Sequence, residues 1–153
     1  MRTRDEIVAR IKHVEKSDWL GTQFGDLANY LDAATLKPLV KPDADLSNWQ
    51  PEELTRENVI KKMLEYLDFA FEKASSHRGI SASRSVEHMQ SYLWLLGDDE
   101  LLAFATSGGN YANYGVPILK RIAIKYDKTM PENILNWKDG EPCEPNCESG
   151  CGS

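Results

Sequence analysis

The sequence lacks any long apolar run and any excess of basic charge. No stretch of about 18 apolar residues occurs among its 153 residues, so a membrane-spanning helix is excluded. The first residues are charged and lack the apolar core of a signal peptide, which predicts a cytoplasmic protein. The net charge of −6 argues against direct nucleic-acid binding, which needs a basic stripe. Such acidity suits either solubility or the binding of a basic protein surface.

Cysteine is also scarce, and all of it lies near the end of the chain. Cys143, Cys147 and Cys151 are each separated by three residues. In a cytoplasmic chain this number argues against a disulfide framework, whereas clustered thiolates suit zinc. The spacing lacks the usual C-x-x-C pair, and a fourth ligand would come from a histidine, from Glu144 or Glu148, or from a second chain. Two interpretations therefore stay open, a zinc site and a tail without function.

Strand-like alternation and internal repeats are absent as well, and helical periodicity takes their place. We predict an all-α single compact domain of five to six helices over residues 1–138, followed by an acidic Gly/Pro/Cys tail at 139–153. Its centre is an antiparallel helical hairpin over residues 55–97, with the turn near Gly79. The expected core comprises Ile60, Leu64, Leu67, Phe71, Val86, Met89, Leu93, Ile118 and Ile122.

Local signals place the ends of several helices. Thr3 and Glu6 match a capping box before a helix over residues 3–16, and a second helix is predicted over 24–34. Prolines make residues 36–53 an irregular connector that Trp49 holds against the core. Thr55 is the expected N-cap of the first hairpin helix, and Gly97 the expected stop of the second.

The corner of the predicted hairpin has more polar groups than a turn needs. Arg78, Ser81, Ser83 and Arg84 cluster where the second helix should begin, so free N–H groups and positive charge could bind an anion or a partner's carboxylate. The alternative is an ordinary serine cap with the arginines paired to nearby acids. A catalytic serine is not supported, because no nucleophile motif accompanies it.

A second candidate contact is the loop that contains Tyr111, Asn113 and Tyr114. Tyrosine and asparagine together suit contact loops, because they bury area at a low cost in conformational entropy. The rings could equally cover the core.

Five segments carry a resemblance to a known group of proteins. They are residues 18–21 (DWLG), 55–59 (TRENV), 77–85 (HRGISASRS), 94–99 (WLLGDD) and 113–119 (NYGVPIL). In these segments the chain resembles small uncharacterised proteins of phage and prophage genomes. The resemblance implies a phage setting and a host cytoplasm, and it implies neither an activity nor catalytic residues.

From these observations we expect a non-enzymatic acidic interaction protein that binds or inhibits a host protein, one that handles nucleic acid or acts in defence. Two alternatives stay open. One is a zinc-binding regulatory protein that uses the tail cysteines, and the other is an enzyme that acts on an anionic small molecule at residues 77–85. Homo-oligomerisation is left undecided.

Overall fold

Helices account for all the regular secondary structure in the residues that the computed structural model describes, which are 1–14, 21–75, 79–106 and 116–136. In chain order they are α1 (Arg4–Val14), α2 (Gly21–Ala28), α3 (Ala33–Leu36), α4 (Arg56–Ser75), α5 (Gly79–Leu96), α6 (Asp99–Thr106), α7 (Val116–Lys125) and α8 (Glu132–Leu135). A 3₁₀ turn, Lys37–Leu39, follows α3 directly. The predicted all-α class is confirmed for these residues. None of their helices is long and apolar enough to cross a membrane.

The eight α-helices in this part of the chain exceed the five or six predicted, and the connection between α2 and α3 shows one reason. The predicted helix over 24–34 is interrupted, since the backbone of Asp32 is extended, with φ −73° and ψ 166°. Its carboxylate accepts a hydrogen bond of 2.7 Å from the backbone N–H of Thr35. Asp32 therefore acts as an N-cap that begins a new helix, instead of continuing the preceding one.

The two N-terminal caps that the sequence predicts, at Thr3 and Thr55, are both present. The backbone N–H of Thr3 donates to Oε1 of Glu6 at 3.1 Å, and the N–H of Glu6 donates to Oγ1 of Thr3 at 3.2 Å. This reciprocal pair is the capping box that the sequence predicts for α1. At the start of α4, Oγ1 of Thr55 accepts from the N–H of Asn58 at 3.1 Å. Each cap satisfies an N–H that has no partner within the helix.

The two long helices, α4 and α5, pack against each other more extensively than any other pair. Most of the expected core is buried there, but Ile60 and Leu64 are only half-buried and line a shallow groove on the outer side of α4. Their spacing places them beside the buried stripe rather than within it. The largest buried apolar side chains are Tyr30, Tyr92, Ile7, Ile11, Leu27, Leu31, Leu36, Met63, Leu67, Met89, Leu93 and Leu95.

Two helices end in the same motif with different residues in the left-handed position. After α5, Gly97 has φ 74°, and the N–H of Asp98 reaches the carbonyl of Leu93 at 3.0 Å. After α7, Asp127 has φ 55°, and the N–H of Lys128 reaches the carbonyl of Ala123 at 2.8 Å. Both are Schellman ends, in which the residue after the cap turns left-handed. The first confirms Gly97 as the predicted stop.

Candidate functional site

A buried carboxylate on α2 joins three helices in the interior of the fold. The side chain of Asp26 is 5% exposed, and its two oxygens lie 3.0 and 2.9 Å from Nδ1 of His88 on α5. One of the two, Oδ1, also accepts a hydrogen bond of 3.1 Å from the hydroxyl of Tyr92. Because a carboxylate has only acceptors to offer, Nδ1 carries the hydrogen in this contact. Asp26 thus receives two donors from successive turns of α5.

The third helix contributes an aromatic ring that covers the histidine. The ring of Tyr66 on α4 lies parallel to that of His88, with 4.3 Å between the ring centres and 9° between the planes. It also lies 5.8 Å from the ring of Tyr92. The His88 side chain is 31% exposed, so the imidazole is packed on one face and reaches solvent elsewhere. We call Asp26, Tyr66, His88 and Tyr92 the Asp26 cluster.

Burial and negative charge keep the surrounding tyrosines protonated. Burial is the main cause that raises the pKa of Tyr92, and the adjacent Asp26 raises it further. The same two causes, in the same order, raise the pKa of Tyr66. Burial also raises the pKa of Tyr30, whose hydroxyl is buried without a hydrogen-bond partner in the described structure. The tyrosines are therefore neutral, and Tyr92, which is bonded to the carboxylate, serves as a donor.

An aspartate bonded to Nδ1 of a histidine holds the ring in one orientation and one tautomer, as in hydrolytic enzymes. Such catalysis also needs a nucleophile or substrate group within reach of the imidazole. In the described part of the chain, the His88 ring has no hydrogen-bond partner besides Asp26. The Asp26 cluster thus has a histidine oriented by a carboxylate but no reacting group beside it within the described residues. There its contacts connect α2, α4 and α5.

Sequence reasoning did not identify Asp26, although a signal was present. Asp26 and Tyr30 share a helical face at i and i+4, and Leu27 lies beside them on the same side. An aspartate on a face otherwise expected to be buried is unusual, and it calls for a charged or hydrogen-bonding partner. The partner itself, 62 residues further along the chain, was not predictable from spacing.

A second buried carboxylate, Asp98, lies in the turn between α5 and α6 and contacts the end of α7. Its Oδ1 accepts from the N–H of Leu101 at 3.2 Å, which makes it the N-cap of α6. Its Oδ2 accepts from the Tyr126 hydroxyl at 2.8 Å and lies 2.6 Å from Nζ of Lys125. Burial alone would raise the pKa of Asp98, but these hydrogen bonds and the lysine's charge outweigh it and lower the pKa.

Most of the predicted site residues lie outside the described residues. This holds for Arg78, for the loop residues Tyr111, Asn113 and Tyr114, and for the tail residues Cys143, Cys147 and Cys151. Among the residues that are described, no group of three His, Cys, Asp or Glu side chains could hold a metal ion.

The corner serines differ in position from the prediction. The backbone of α5 is helical from Gly79, so Ser81 and Ser83 lie within the first turns and do not precede the helix as caps. Arg84 is exposed and forms no ion pair with any described residue. Two acids that follow α5, Asp98 and Asp99, are paired with Lys125 and Arg2 instead.

The comparisons with known proteins add no assignment, because no protein family, no curated protein and no solved structure matches this chain.

Proposed function

We propose that this chain is a non-enzymatic acidic interaction protein that binds a basic surface on another protein. The observation that carries the proposal is the connector, predicted over residues 36–53 and observed over residues 40–55 between the 3₁₀ turn and α4. Together with Glu57 in the first turn of α4, it holds a group of exposed carboxylates in place against the helical body. In keeping with the resemblance to small phage proteins, we propose that the partner is a host protein whose basic surface handles nucleic acid.

The connector is irregular in backbone but attached to the core at several points. Nε1 of Trp49 donates to the carbonyl of Leu31 at 2.8 Å, and the N–H of Glu52 donates to the carbonyl of Asn29 at 2.7 Å. At its end, the side-chain amide of Asn58 donates to the carbonyl of Glu53 at 3.2 Å. These bonds hold the connector in one conformation, so its charges need little ordering when a partner binds.

The charge of this surface is strongly one-sided. Residues 43–57 contain one basic residue, Arg56, and five exposed acids, which are Asp43, Asp45, Glu52, Glu53 and Glu57. Of these acids, only Glu52 forms an ion pair within the described part of the chain, with Lys62 at 3.3 Å. The other four leave this surface with unbalanced negative charge, which attracts a basic surface more strongly at low salt than at high salt, because salt screens exposed charges. Such attraction speeds association and selects among partners.

The two buried carboxylates support the non-enzymatic part of the proposal. Asp26 is engaged by His88 and Tyr92, and Asp98 is engaged by Lys125 and Tyr126. Each carboxylate is of a type that can act in acid–base catalysis, but in this fold its contacts join helices. We further propose that α4 and α5 form the antiparallel hairpin expected from the sequence, which gives the connector a firm base.

The proposal is tested with two charge-matched triple variants. The first replaces Asp43 with Asn and Glu53 and Glu57 with Gln, which leaves Asp45 and the ion-paired Glu52 unchanged. The control replaces Glu87, Glu100 and Glu132 with Gln, so that the same charge is removed from other exposed positions. Each immobilised protein is exposed to host lysate at low and high salt, and the bound proteins are then challenged with duplex DNA.

We expect the unmodified protein and the control to capture the same host protein at low salt, and DNA to compete with that capture. The connector variant should retain about a tenth of it or less, since several charge contacts are lost together. Equal capture by both triple variants would refute the connector as the binding surface. Absence of any salt-sensitive capture by the unmodified protein would refute the function.

A further inference from the structure

A cleft of about 650 Å³ lies where the beginning of the connector folds back over α3 and the 3₁₀ turn. Its walls are mainly apolar and include Ala33, Pro38, Val40 and Leu46. A volume of this order, apolar walls and a small number of polar groups are typical of sites for small organic ligands. The lining overlaps in sequence with the acidic surface of residues 43–57, but neither Asp43 nor Asp45 is among the residues that line the cleft.

Two lysines provide the charge in this cleft. Lys37 and Lys41 both line it and are exposed, and no carboxylate lines it. Neither lysine forms an ion pair with a described residue. Asp43 lines the adjoining depression, together with Phe24 and Lys41, rather than the cleft itself. One carboxylate lies at the margin of the cleft, since Oδ1 of Asp45 accepts from the backbone N–H of Ser47, a lining residue, at 2.9 Å. This bond engages Asp45, and within the lining itself the two lysines are the charged groups that an anion would contact.

Backbone hydrogen bonds and two prolines fix the shape of the cleft walls. The N–H of Val40 bonds the carbonyl of Leu36 at 3.1 Å, and the N–H of Ala44 bonds the carbonyl of Lys41 at 3.0 Å. Pro38 and Pro42 restrict the backbone on either side of Lys41, because the proline ring limits φ. A ligand would therefore bind without the cost of ordering this segment.

We propose that this cleft binds a small organic carboxylate with an apolar body. The apolar walls take the hydrocarbon part, and the ammonium groups of Lys37 and Lys41 take the carboxylate. A free inorganic anion would leave the apolar walls without a partner, and a neutral apolar molecule would leave both lysines unpaired. The inference is independent of the partner proposed for the connector.

The test uses octanoate as the probe and octan-1-ol as its neutral counterpart, both followed by ¹H–¹⁵N NMR on the full chain. We expect octanoate, below its micelle concentration, to shift the resonances of residues 33–47 in a saturable way. Octanol should bind at least about fivefold more weakly, since it lacks the charge that both lysines attract.

Variants then assign the contacts. The double variant Lys37→Gln/Lys41→Gln should bind octanoate about tenfold more weakly, whereas the matched Lys12→Gln/Lys61→Gln should bind as the unmodified chain does. Ala44→Trp, at an exposed position in the lining, should block binding by filling the cleft. Absence of saturable shifts at residues 33–47 would overturn the proposal. Equal binding of octanol, or unchanged binding by the Lys37/Lys41 variant, would also overturn it.

Discussion

Nδ1 of His88 on α5 lies 2.9 Å from Oδ2 of Asp26 on α2, and this contact joins residues that are 62 positions apart. The carboxylate is buried, and its hydrogen-bond partners are this histidine and the Tyr92 hydroxyl. Removal of either partner would leave part of a buried charge without a hydrogen bond, which costs more than an ordinary surface contact contributes.

The pair should therefore be strongly coupled in a double-mutant cycle. We expect Asp26→Ala and His88→Ala each to lower the free energy of unfolding by about 2–4 kcal/mol, because each leaves buried polar groups without partners. The double variant should lose less than the sum of the two by at least about 1 kcal/mol. Urea unfolding followed by circular dichroism measures all four proteins. His13→Ala, at an exposed position, serves as the control, and strict additivity of the two changes would contradict the coupling.

Ionisation of Asp98 should contribute to the pH dependence of the free energy of unfolding. Its pKa in the folded protein is lowered, so its contribution is present above the pKa of the unfolded chain and is lost as the pH falls through the folded value. We expect Asp98→Asn to lower the free energy of unfolding by about 2 kcal/mol at pH 7, and by clearly less near pH 3, which lies below the ordinary pKa of aspartate, so that the unfolded wild-type chain takes up a proton there.

Urea titrations at both pH values measure this difference, with the exposed neighbour Asp99 replaced by Asn as the control. A loss for Asp98→Asn that is equal at the two pH values would show that ionisation of Asp98 does not stabilise the fold.

The two left-handed helix ends should respond to substitution with opposite signs. Gly97→Ala should lower the free energy of unfolding by about 1 kcal/mol, because a Cβ is strained at φ 74° although no atom lies within 4 Å of it. Asp127→Gly should raise it by about 1 kcal/mol, through relief of the same strain at φ 55°. Thermal unfolding measures both changes.

Asp127→Asn separates charge from strain at the second of these ends. It removes a negative charge that is unfavourable at the C-terminal end of α7 but keeps the side chain in the left-handed position. A gain as large as that of Asp127→Gly would assign the whole effect to charge.

The connector should become easier to open when its tryptophan is replaced by a residue without the indole N–H. Trp49→Phe keeps an aromatic ring but removes the donor to the Leu31 carbonyl, so we expect a loss of about 1 kcal/mol. A glutamate-specific protease should then cleave at Glu52 or Glu53 faster than in the wild type, because local opening is easier. Gln50→Ala, which alters an exposed side chain of the same connector, should leave the cleavage rate unchanged. Equal rates for Trp49→Phe and the wild type would show that this hydrogen bond does not hold the connector.

Local sequence signals determined where helices begin and end. The capping box of Thr3 and Glu6, the Thr55 cap and the Gly97 stop all depend on groups within a few residues of one another, so spacing alone is enough to predict them. The break at Asp32 is of the same local kind, and its Asp-x-x-Thr spacing was available as a signal.

Other features were decided by the tertiary structure. Whether Ile60 and Leu64 lie in the core or at its margin depends on how much of α4 its neighbours cover, and periodicity does not specify that width. The partner of Asp26 and the shape of the cleft beside Lys37 and Lys41 depend on which distant segments pack together. The sequence by itself determined the helical class and the helix ends at Thr3, Thr55 and Gly97, because those depend on neighbours in the chain. Packing of segments far apart in sequence decided the contacts of the buried carboxylates and the position of the acidic connector.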